Sequence, residues 1–333
     1  VSGSSPAGVD VLVVALATTA GWRGAVPALA EAIERAGASV AVASAPPVRE
    51  VRTFALTDLV QARAARAAAR AGIAARRPRA LIYASTTAAL LGPRPGAIWF
   101  DSPAAENRPG RHGVWQRPLE RRRVAQAPLL LPMSDGGLRA LGGRDRVPAI
   151  VLPVPVEPSS APPTPSAARD VTALAYAADA RKKGLDRILA AWAAARRPDE
   201  TLLVAGQPAA PLADGAAGAG LLAPEDYRAL LRRARIFVAA PRHEDYGIAQ
   251  LEALADGCRL VTTPGGGPYP ARELAWTLDA RLVSDDLASA IRSALDAPPD
   301  DYAARAAQLL APYRRAAFDA TVRERVLPAL LDG

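Results

Sequence analysis

The stretch Val9-Asp10-Val11-Leu12-Val13-Val14-Ala15-Leu16-Ala17, running into Thr18-Thr19-Ala20-Gly21-Trp22-Arg23-Gly24, decides the fold. Its apolar run is continuous rather than alternating, as expected of a parallel strand buried on both faces. Residues 18–24 read as a glycine-containing turn, and residues 26–36 as an amphipathic helix that Gly37 terminates. Residues 39–43 then make a second strand. Strand, turn, helix and strand in that order form the repeating unit of a doubly wound α/β sheet.

The same rhythm continues outward. A helix over 57–75 precedes strands at 80–84 and 97–100, and a helical piece near 119–125 leads to strands at 128–133 and 149–154. Residues 153–166 then read Pro-Val-Pro-Val-Glu-Pro-Ser-Ser-Ala-Pro-Pro-Thr-Pro-Ser. Proline lacks the backbone donor and blocks the helical turn, so this stretch is neither helix nor central strand, and residues 156–168 read as an interdomain linker. Beyond it come strands at 171–176, 201–205, 236–239, 259–263 and 281–283. They alternate with helices at 185–195, 225–233 and 247–255, and helices at 286–297, 302–310 and 314–331 complete the chain. The expectation is two Rossmann-like doubly wound domains in tandem, 1–155 and 169–313, with the helix at 314–333 rejoining the first. Ligands sit outside the carboxyl ends of such strands, so two domains facing each other would enclose a cleft.

Composition agrees with this plan. At 333 residues the chain exceeds one ordinary domain of roughly 100 to 200 residues. Its 50% hydrophobic and 22% charged residues describe a globular chain rather than a disordered one. The formal charge of +8 comes almost wholly from arginine. The arginines are spread through alanine-rich helical stretches such as 61–77 and read as solvated faces, with no recognition-helix or zinc-finger pattern to suggest nucleic acid. Net positive charge does suit substrates that carry phosphate, and would also suit transient peripheral docking on acidic lipid at the inner membrane face. The single cysteine, Cys258, excludes an internal disulfide and points to a reducing, cytoplasmic setting. No segment approaches the ~18 to 20 apolar residues of a membrane span, and residues 1–5 lack the basic start of a signal peptide.

Chemistry concentrates in the second half. In Pro241-Arg242-His243-Glu244-Asp245-Tyr246-Gly247-Ile248-Ala249-Gln250-Leu251-Glu252, a buried strand delivers the chain to the sheet edge, Asp245 is placed to cap, and a helix begins near Gly247. The first amides of such a helix are free to bind an anion, and a glycine there lets a phosphate approach the backbone. Glu244 and Glu252 repel phosphate, but they can accept hydrogen bonds from sugar hydroxyls on either side of a diphosphate. Asp179-Ala180-Arg181-Lys182-Lys183-Gly184-Leu185-Asp186 brings cations to the carboxyl edge of the first strand of the same domain. Thr262-Thr263-Pro264-Gly265-Gly266-Gly267 supplies another close-approach loop.

These segments resemble the retaining glycosyltransferases of the GT-B type, in particular family 4 (group 1). Members carry a Lys-Gly-Leu-Asp segment, a strand end like Val204-Ala205-Gly206, and two glutamates spaced as Glu244 and Glu252 are. The close match covers residues 176–273. The resemblance implies an α/β GT-B fold of two Rossmann-like domains facing across a cleft, with acceptor bound by the first and donor by the second. It implies transfer of a hexosyl group from a nucleoside-diphosphate sugar to an acceptor hydroxyl of a saccharide, lipid or small molecule, with retained anomeric configuration and no metal or other cofactor. Lys183 and an accompanying cation, Arg181 or Lys182, would bind the diphosphate, with Gly206 beside them. The amides of Gly247, Ile248 and Ala249, next to Tyr246, would hold phosphate. Glu244 would meet the transferred sugar, Glu252 the ribose, and the base would lie near Leu222. From the first domain, Gly21 would approach the transferred group, with Asp101 and His112 as candidates facing the sugar. The chain departs from the family pattern at Ala178, where an arginine is usual.

Plainer explanations apply elsewhere. His243 reads as a loop residue flanking the site, and Cys258 as core packing. Asp285-Asp286 and Asp300-Asp301 read as helix caps rather than a metal pair. Gly215-Ala216-Ala217-Gly218-Ala219-Gly220 lacks dinucleotide-fingerprint spacing and reads as a flexible loop. Rival assignments are a GT-B sugar-nucleotide epimerase, a phosphorylase, or a non-catalytic protein that binds nucleotide-sugars or anions.

Overall fold

A computed structural model describes residues 8–332 except 17–19, 49–50, 52, 109, 143–146, 161–167, 268, 298 and 300. The chain divides into two compact units, Val1–Pro155 with Arg315–Gly333, and Val156–Arg314.

In unit 1 the strands β1 (Val11–Leu16), β2 (Val40–Ala45), β3 (Ala80–Ala84), β4 (Ala97–Phe100) and β5 (Leu130–Pro132) form one parallel sheet ordered β2-β1-β3-β4-β5. Strand β1 is buried throughout, which is why its sequence shows no polar face. Helices α1 (Ala20–Arg35), α2 (Phe54–Arg76), α3 (Thr86–Leu90), α4 (Ala104–Asn107), α5 (Gln116–Gln126) and α6 (Asp135–Ala140) connect the strands. The buried stripe of α2 runs through Ala62, Ala65 and Ala69, small side chains that let the helix lie close to the sheet. Trp99 is fully buried, donates from its indole to Leu152 O at 2.9 Å, and meets Trp22 edge-on at 5.3 Å between ring centroids.

The last helical segments, Arg315–Thr321, Val322–Val326 (a π-helical turn) and Leu327–Leu331, pack on this unit. Phe318 lies 6.2 Å from Trp99, and both oxygens of Asp319 accept from the Arg35 guanidinium at 2.8 Å.

Unit 2 has the strand order β11-β10-β6-β7-β9-β8, where β6 is Val171–Tyr176, β7 Leu202–Ala205, β8 Pro211–Ala213, β9 Ala216–Gly220, β10 Ala234–Ala239 and β11 Arg259–Thr262. All pairs are parallel except β8 with β9. Its helices are α7 (Leu185–Ala195), α8 (Pro224–Arg233), α9 (Ile248–Ala255), α10 (Pro270–Leu278), α11 (Leu287–Asp296) and α12 (Tyr302–Leu309). The chain leaves β6 for β7 on one side and returns to β10 on the other. The order therefore reverses at β6, and the carboxyl ends of β6 and β10 flank the switch point where open α/β sheets bind ligands.

Several expectations need correction. Helix α1 starts at Ala20, so Gly21 and Gly24 are helical rather than part of a turn; residues 17–19 of that stretch lie outside the described residues. Packing of Trp22 on Trp99 outweighs the ~1 kcal/mol that each glycine costs a helix. Residues 149–154 form no full strand. Ile150 N and Leu152 N donate to Leu130 O and Pro132 O, but Pro153 has no N–H with which to continue the ladder.

Residues 216–220 are strand β9, not a flexible loop. A Cβ on Gly218 would fall 1.9 Å from Pro208 O, so close backbone approach excludes the large side chains that mark a strand in sequence. Residues 281–283 are a 3₁₀ turn, Ala280–Leu282, with only a bridge from Val283 to Thr262. Asp286 caps α11 by accepting from Ser289 N at 3.0 Å, whereas Asp301 precedes α12 without a side-chain cap, and Asp300 lies outside the described residues. Among the described residues no helix is long and apolar enough to cross a membrane.

Cys258, the residue before β11, is fully buried, its thiol donates to Leu231 O at 3.1 Å, and burial pushes its pKa up to about 12. Alkylation with iodoacetamide at about pH 8 should proceed at least roughly 100-fold more slowly in the native protein than in denaturant, since the thiolate is the nucleophile. Mass spectrometry of timed samples checks this.

Candidate functional site

After Tyr176, at the end of β6, the backbone makes a turn in which Lys183 N donates to Asp179 O and Leu185 N to Ala180 O, both at 2.9 Å. Lys182 N donates to the Asp179 carboxylate at 2.8 Å. The turn holds Lys182 and Lys183 against the loop that follows β10, where Arg242 N donates to Lys182 O at 2.9 Å. These two lysines are the only ones in the chain; every other basic residue except two histidines is arginine.

The second loop carries the acidic partners. Glu244 is buried, and its Oε2 accepts from Lys183 Nζ at 2.5 Å and from Gln250 Nε2 at 2.9 Å. The Lys183 ammonium also lies 5.9 Å from the centre of the Tyr176 ring, a cation–π distance. One position along, Asp245 accepts from Lys182 Nζ at 2.6 Å and pairs with His243 Nε2 at 2.9 Å. Asp245 was expected to cap the following helix; it is instead held by Lys182 and His243, and α9 has no side-chain cap. Burial works to raise the Asp245 pKa, but the His243 hydrogen bond and the Lys182 charge prevail and hold the carboxyl well below the usual range. The same hydrogen bond raises the pKa of His243.

Helix α9 begins after Gly247, whose φ of 81° favours glycine and whose Cβ, if present, would stand 3.0 Å from the Tyr269 ring. The first bond of the helix runs from Leu251 N to Gly247 O at 3.0 Å, so the amides of Ile248, Ala249 and Gln250 precede it at the positive end of the helix. Tyr176, Lys183, Phe237, Pro241, Ala249 and Gln250 line a concavity beside them. Tyr246 is buried below.

Glu252 lies further along α9 and is 27% exposed at its side chain. Burial raises its pKa although Arg228 is 3.4 Å away. Arg228 also pairs with Asp256 at 3.0 Å, and Asp256 accepts from Ser159 N and Oγ at 2.7 and 2.8 Å. Beside Glu252, the hydroxyl of Tyr227 is buried and finds no partner among the described residues; its ring meets Tyr176 at 5.8 Å.

The structure thus gathers Lys182, Lys183, Glu244, Tyr246, Gly247, Ile248, Ala249 and Glu252 along the carboxyl edge of one sheet. Arg181 is exposed there, and its carbonyl accepts from Arg242 at 3.0 Å. Gly206, after β7, packs against Ala178, and Leu222 is half-buried between β9 and α8. Gly21, Asp101 and His112 belong to unit 1. There Ser102 N donates to Asp101 Oδ1 at 2.8 Å, and the exposed His112 ring faces Phe54 at 6.2 Å. Sequence reasoning passed over Gln250, Arg228 and Tyr227. It also passed over Asp58, which is buried and accepts from Arg108 at 2.7 and 2.9 Å and from Gln116 at 3.0 Å. Asp58 lies four residues before Ala62 on the stripe that α2 buries, and a charge on such a stripe signals a buried pair. Among the described residues no group of three or more His, Cys, Asp or Glu is placed to hold a metal ion.

Comparison with known proteins bears on this edge. A family model described as "Glycosyl transferases group 1" matches residues 170–297, a span that contains all of the unit 2 residues gathered above. No curated protein matches the chain. Among solved structures, WaaG, described as a glycosyltransferase involved in lipopolysaccharide biosynthesis, superposes with a TM-score of 0.68 at 14% identity, covering 98% of this chain and 100% of its own. HepE from Anabaena, in complex with UDP-glucose, gives 0.67 at 14% identity over 96% and 99%. An E. coli protein described as trehalose-6-phosphate and bound with UDP-2-fluoro glucose gives 0.63 at 12% identity over 93% and 97%. The fold is GT-B. Unit 2 is similar to a group 1 glycosyltransferase domain.

The His243–Asp245 pair sets a pH dependence. A histidine whose folded pKa lies above its unfolded value of about 6.5 adds stability fully at lower pH and loses it as pH rises through the folded value. His243→Gln should therefore lower the unfolding free energy by up to about 1 kcal/mol near pH 5 and by little near pH 9. Urea denaturation of both proteins at the two pH values measures the difference.

Proposed function

We propose that this protein is a retaining glycosyltransferase that moves a hexosyl group from a nucleoside-diphosphate sugar to an acceptor hydroxyl. The observation that carries the reading is the buried Lys183–Glu244–Gln250 cluster beside the open amides of α9, at the point where the strand order reverses. A cation and a helix N-terminus suit a diphosphate, and carboxylates to either side suit hydroxyls. The family match over residues 170–297 supports the reaction class, and the UDP-sugars bound to HepE and the E. coli protein make uridine donors the first to try.

In this reading Lys183 and the amides of Gly247, Ile248 and Ala249 hold the diphosphate, with Arg181 or Lys182 as the accompanying cation. Gly206 leaves room beside them. Glu244 orients the hydroxyls of the transferred sugar, Glu252 takes the ribose, and Leu222 faces the base. Unit 1 receives the acceptor, with Gly21, Asp101 and His112 as its candidate residues. The bond from the anomeric carbon to the diphosphate oxygen breaks, and the acceptor oxygen bonds to that carbon on the same face. The acceptor proton passes to the departing diphosphate, so retention needs no protein nucleophile. Charge on the leaving group is stabilised by Lys183 and the helix dipole, without a metal. The working setting is cytoplasmic, with peripheral contact at the inner membrane face.

A thermal-shift panel of UDP, GDP, ADP and their hexoses tests the binding step. A donor present at a hundredfold excess over its Kd adds about 2.7 kcal/mol of stability and raises Tm accordingly. Glu244→Ala should lower kcat at least about 100-fold with the fold intact. Lys183→Arg keeps the charge but replaces a compact ammonium with a planar fork, and should lower kcat/KM about tenfold or more. A folded Glu244→Ala protein that turns over at the wild-type rate would refute the assignment.

A further inference from the structure

Gln250 is the third residue of α9 and is 3% exposed. Its amide orientation is fixed by chemistry. Glu244 Oε2 already accepts from the Lys183 ammonium, so the end of Gln250 that meets it at 2.9 Å must be the donating NH₂. The carbonyl Oε1 is thereby turned away from Glu244, buried and without a hydrogen-bond partner among the described residues. It points toward the start of α9, because a Cβ placed on Gly247 would come within 3.4 Å of it. Gln250 also lines the concavity shared with Lys183, Ala249 and Tyr176.

A buried carbonyl without a partner is unfavourable, and one on a side chain that lines a concavity is placed to be satisfied by what binds there. What satisfies it must donate a hydrogen bond. An ionised phosphate offers only acceptors and is excluded, whereas a sugar hydroxyl donates and accepts.

Building on the glycosyltransferase reading, we propose that Gln250 Oε1 accepts a hydrogen bond from a hydroxyl of the transferred sugar next to the one held by Glu244, and so selects donors that carry that hydroxyl. The two acceptors are linked through Gln250 Nε2, so they present a fixed pair to adjacent hydroxyls. A site built this way discriminates strongly against an analogue lacking the group, because the carbonyl is then left buried and unpaired. Gln250 has a second effect: by bonding Glu244 Oε2 it orients that carboxylate.

The test uses the full chain, the best-binding hexose donor from the panel of UDP, GDP and ADP sugars, its mono-deoxy analogues, and the corresponding free nucleoside diphosphate. Wild-type protein is expected to bind two deoxy donors on the order of 10- to 100-fold more weakly than the parent, one lacking the hydroxyl held by Glu244 and one lacking the hydroxyl held by Gln250. Gln250→Leu should bind the free nucleoside diphosphate within about twofold of wild type, bind the parent donor on the order of tenfold more weakly, and no longer distinguish the second of these deoxy donors from the parent. Equal weakening toward every deoxy donor, or unchanged discrimination in the variant, overturns the proposal while leaving the glycosyltransferase reading intact. Should Gln250→Leu not fold, the wild-type deoxy series decides alone: binding of all analogues within about twofold of the parent overturns the proposal. A wild-type protein that binds none of the nucleotides or donors overturns both.

Discussion

The contact between Lys183 and Glu244 joins the ends of two neighbouring strands that come from distant parts of the sequence. Glu244 is the group that depends on the pairing, because it is buried while Lys183 keeps some contact with solvent. A buried carboxylate without its cation would carry a large desolvation cost, and removing one partner of such a pair is far more damaging than never having had it. The same requirement draws the β6 turn toward the β10 loop, where the Arg242 amide and the Lys182 carbonyl meet. Geometry on the carboxyl edge therefore follows from a single charge balance, extended by Gln250 on one side and by the Lys182–Asp245–His243 group on the other.

That the chain uses lysine only here sharpens the point. Arginine serves elsewhere, where a delocalised, weakly hydrated fork can engage two carboxylates, as Arg292 does with Glu200 and Asp296. The turn after β6 needs a narrower cation. An ammonium on a thin stem fits between Glu244 and the Tyr176 ring, and it can change partners without breaking a planar bidentate arrangement.

Much of the architecture was legible because buried parallel strands leave uninterrupted apolar runs. Residues 80–84, 97–100 and 171–176 and the helix at 185–195 appear in the structure with the bounds expected from sequence. Legibility failed where a tertiary neighbour decided the outcome. Trp99 lets α1 start across two glycines, and the Pro208 carbonyl makes a strand of a glycine-alanine stretch. At the site, the charged residues other than Arg228 were visible as chemistry, whereas Gln250 and Tyr227 were not. Their importance lies in one atom of each being buried without a partner, and no spacing rule reports that. The partner of Asp245 was likewise misjudged, since a helix start favours an acidic cap until a lysine from the turn after β6 claims it.

The return of residues 315–331 to unit 1 has a bearing on synthesis. Phe318 closes over Trp99, and Asp319 engages Arg35, only after all of unit 2 has left the ribosome. Domains made without interruption can fold in the order they emerge. Here the first sheet has its strands early but waits for the helix that carries Phe318 and Asp319, while the inserted second unit is complete before that helix is made. The later-made half is thus the earlier one able to finish, and a nascent chain exposed only as far as residue 314 would hold a complete second unit and a first unit without its last helix.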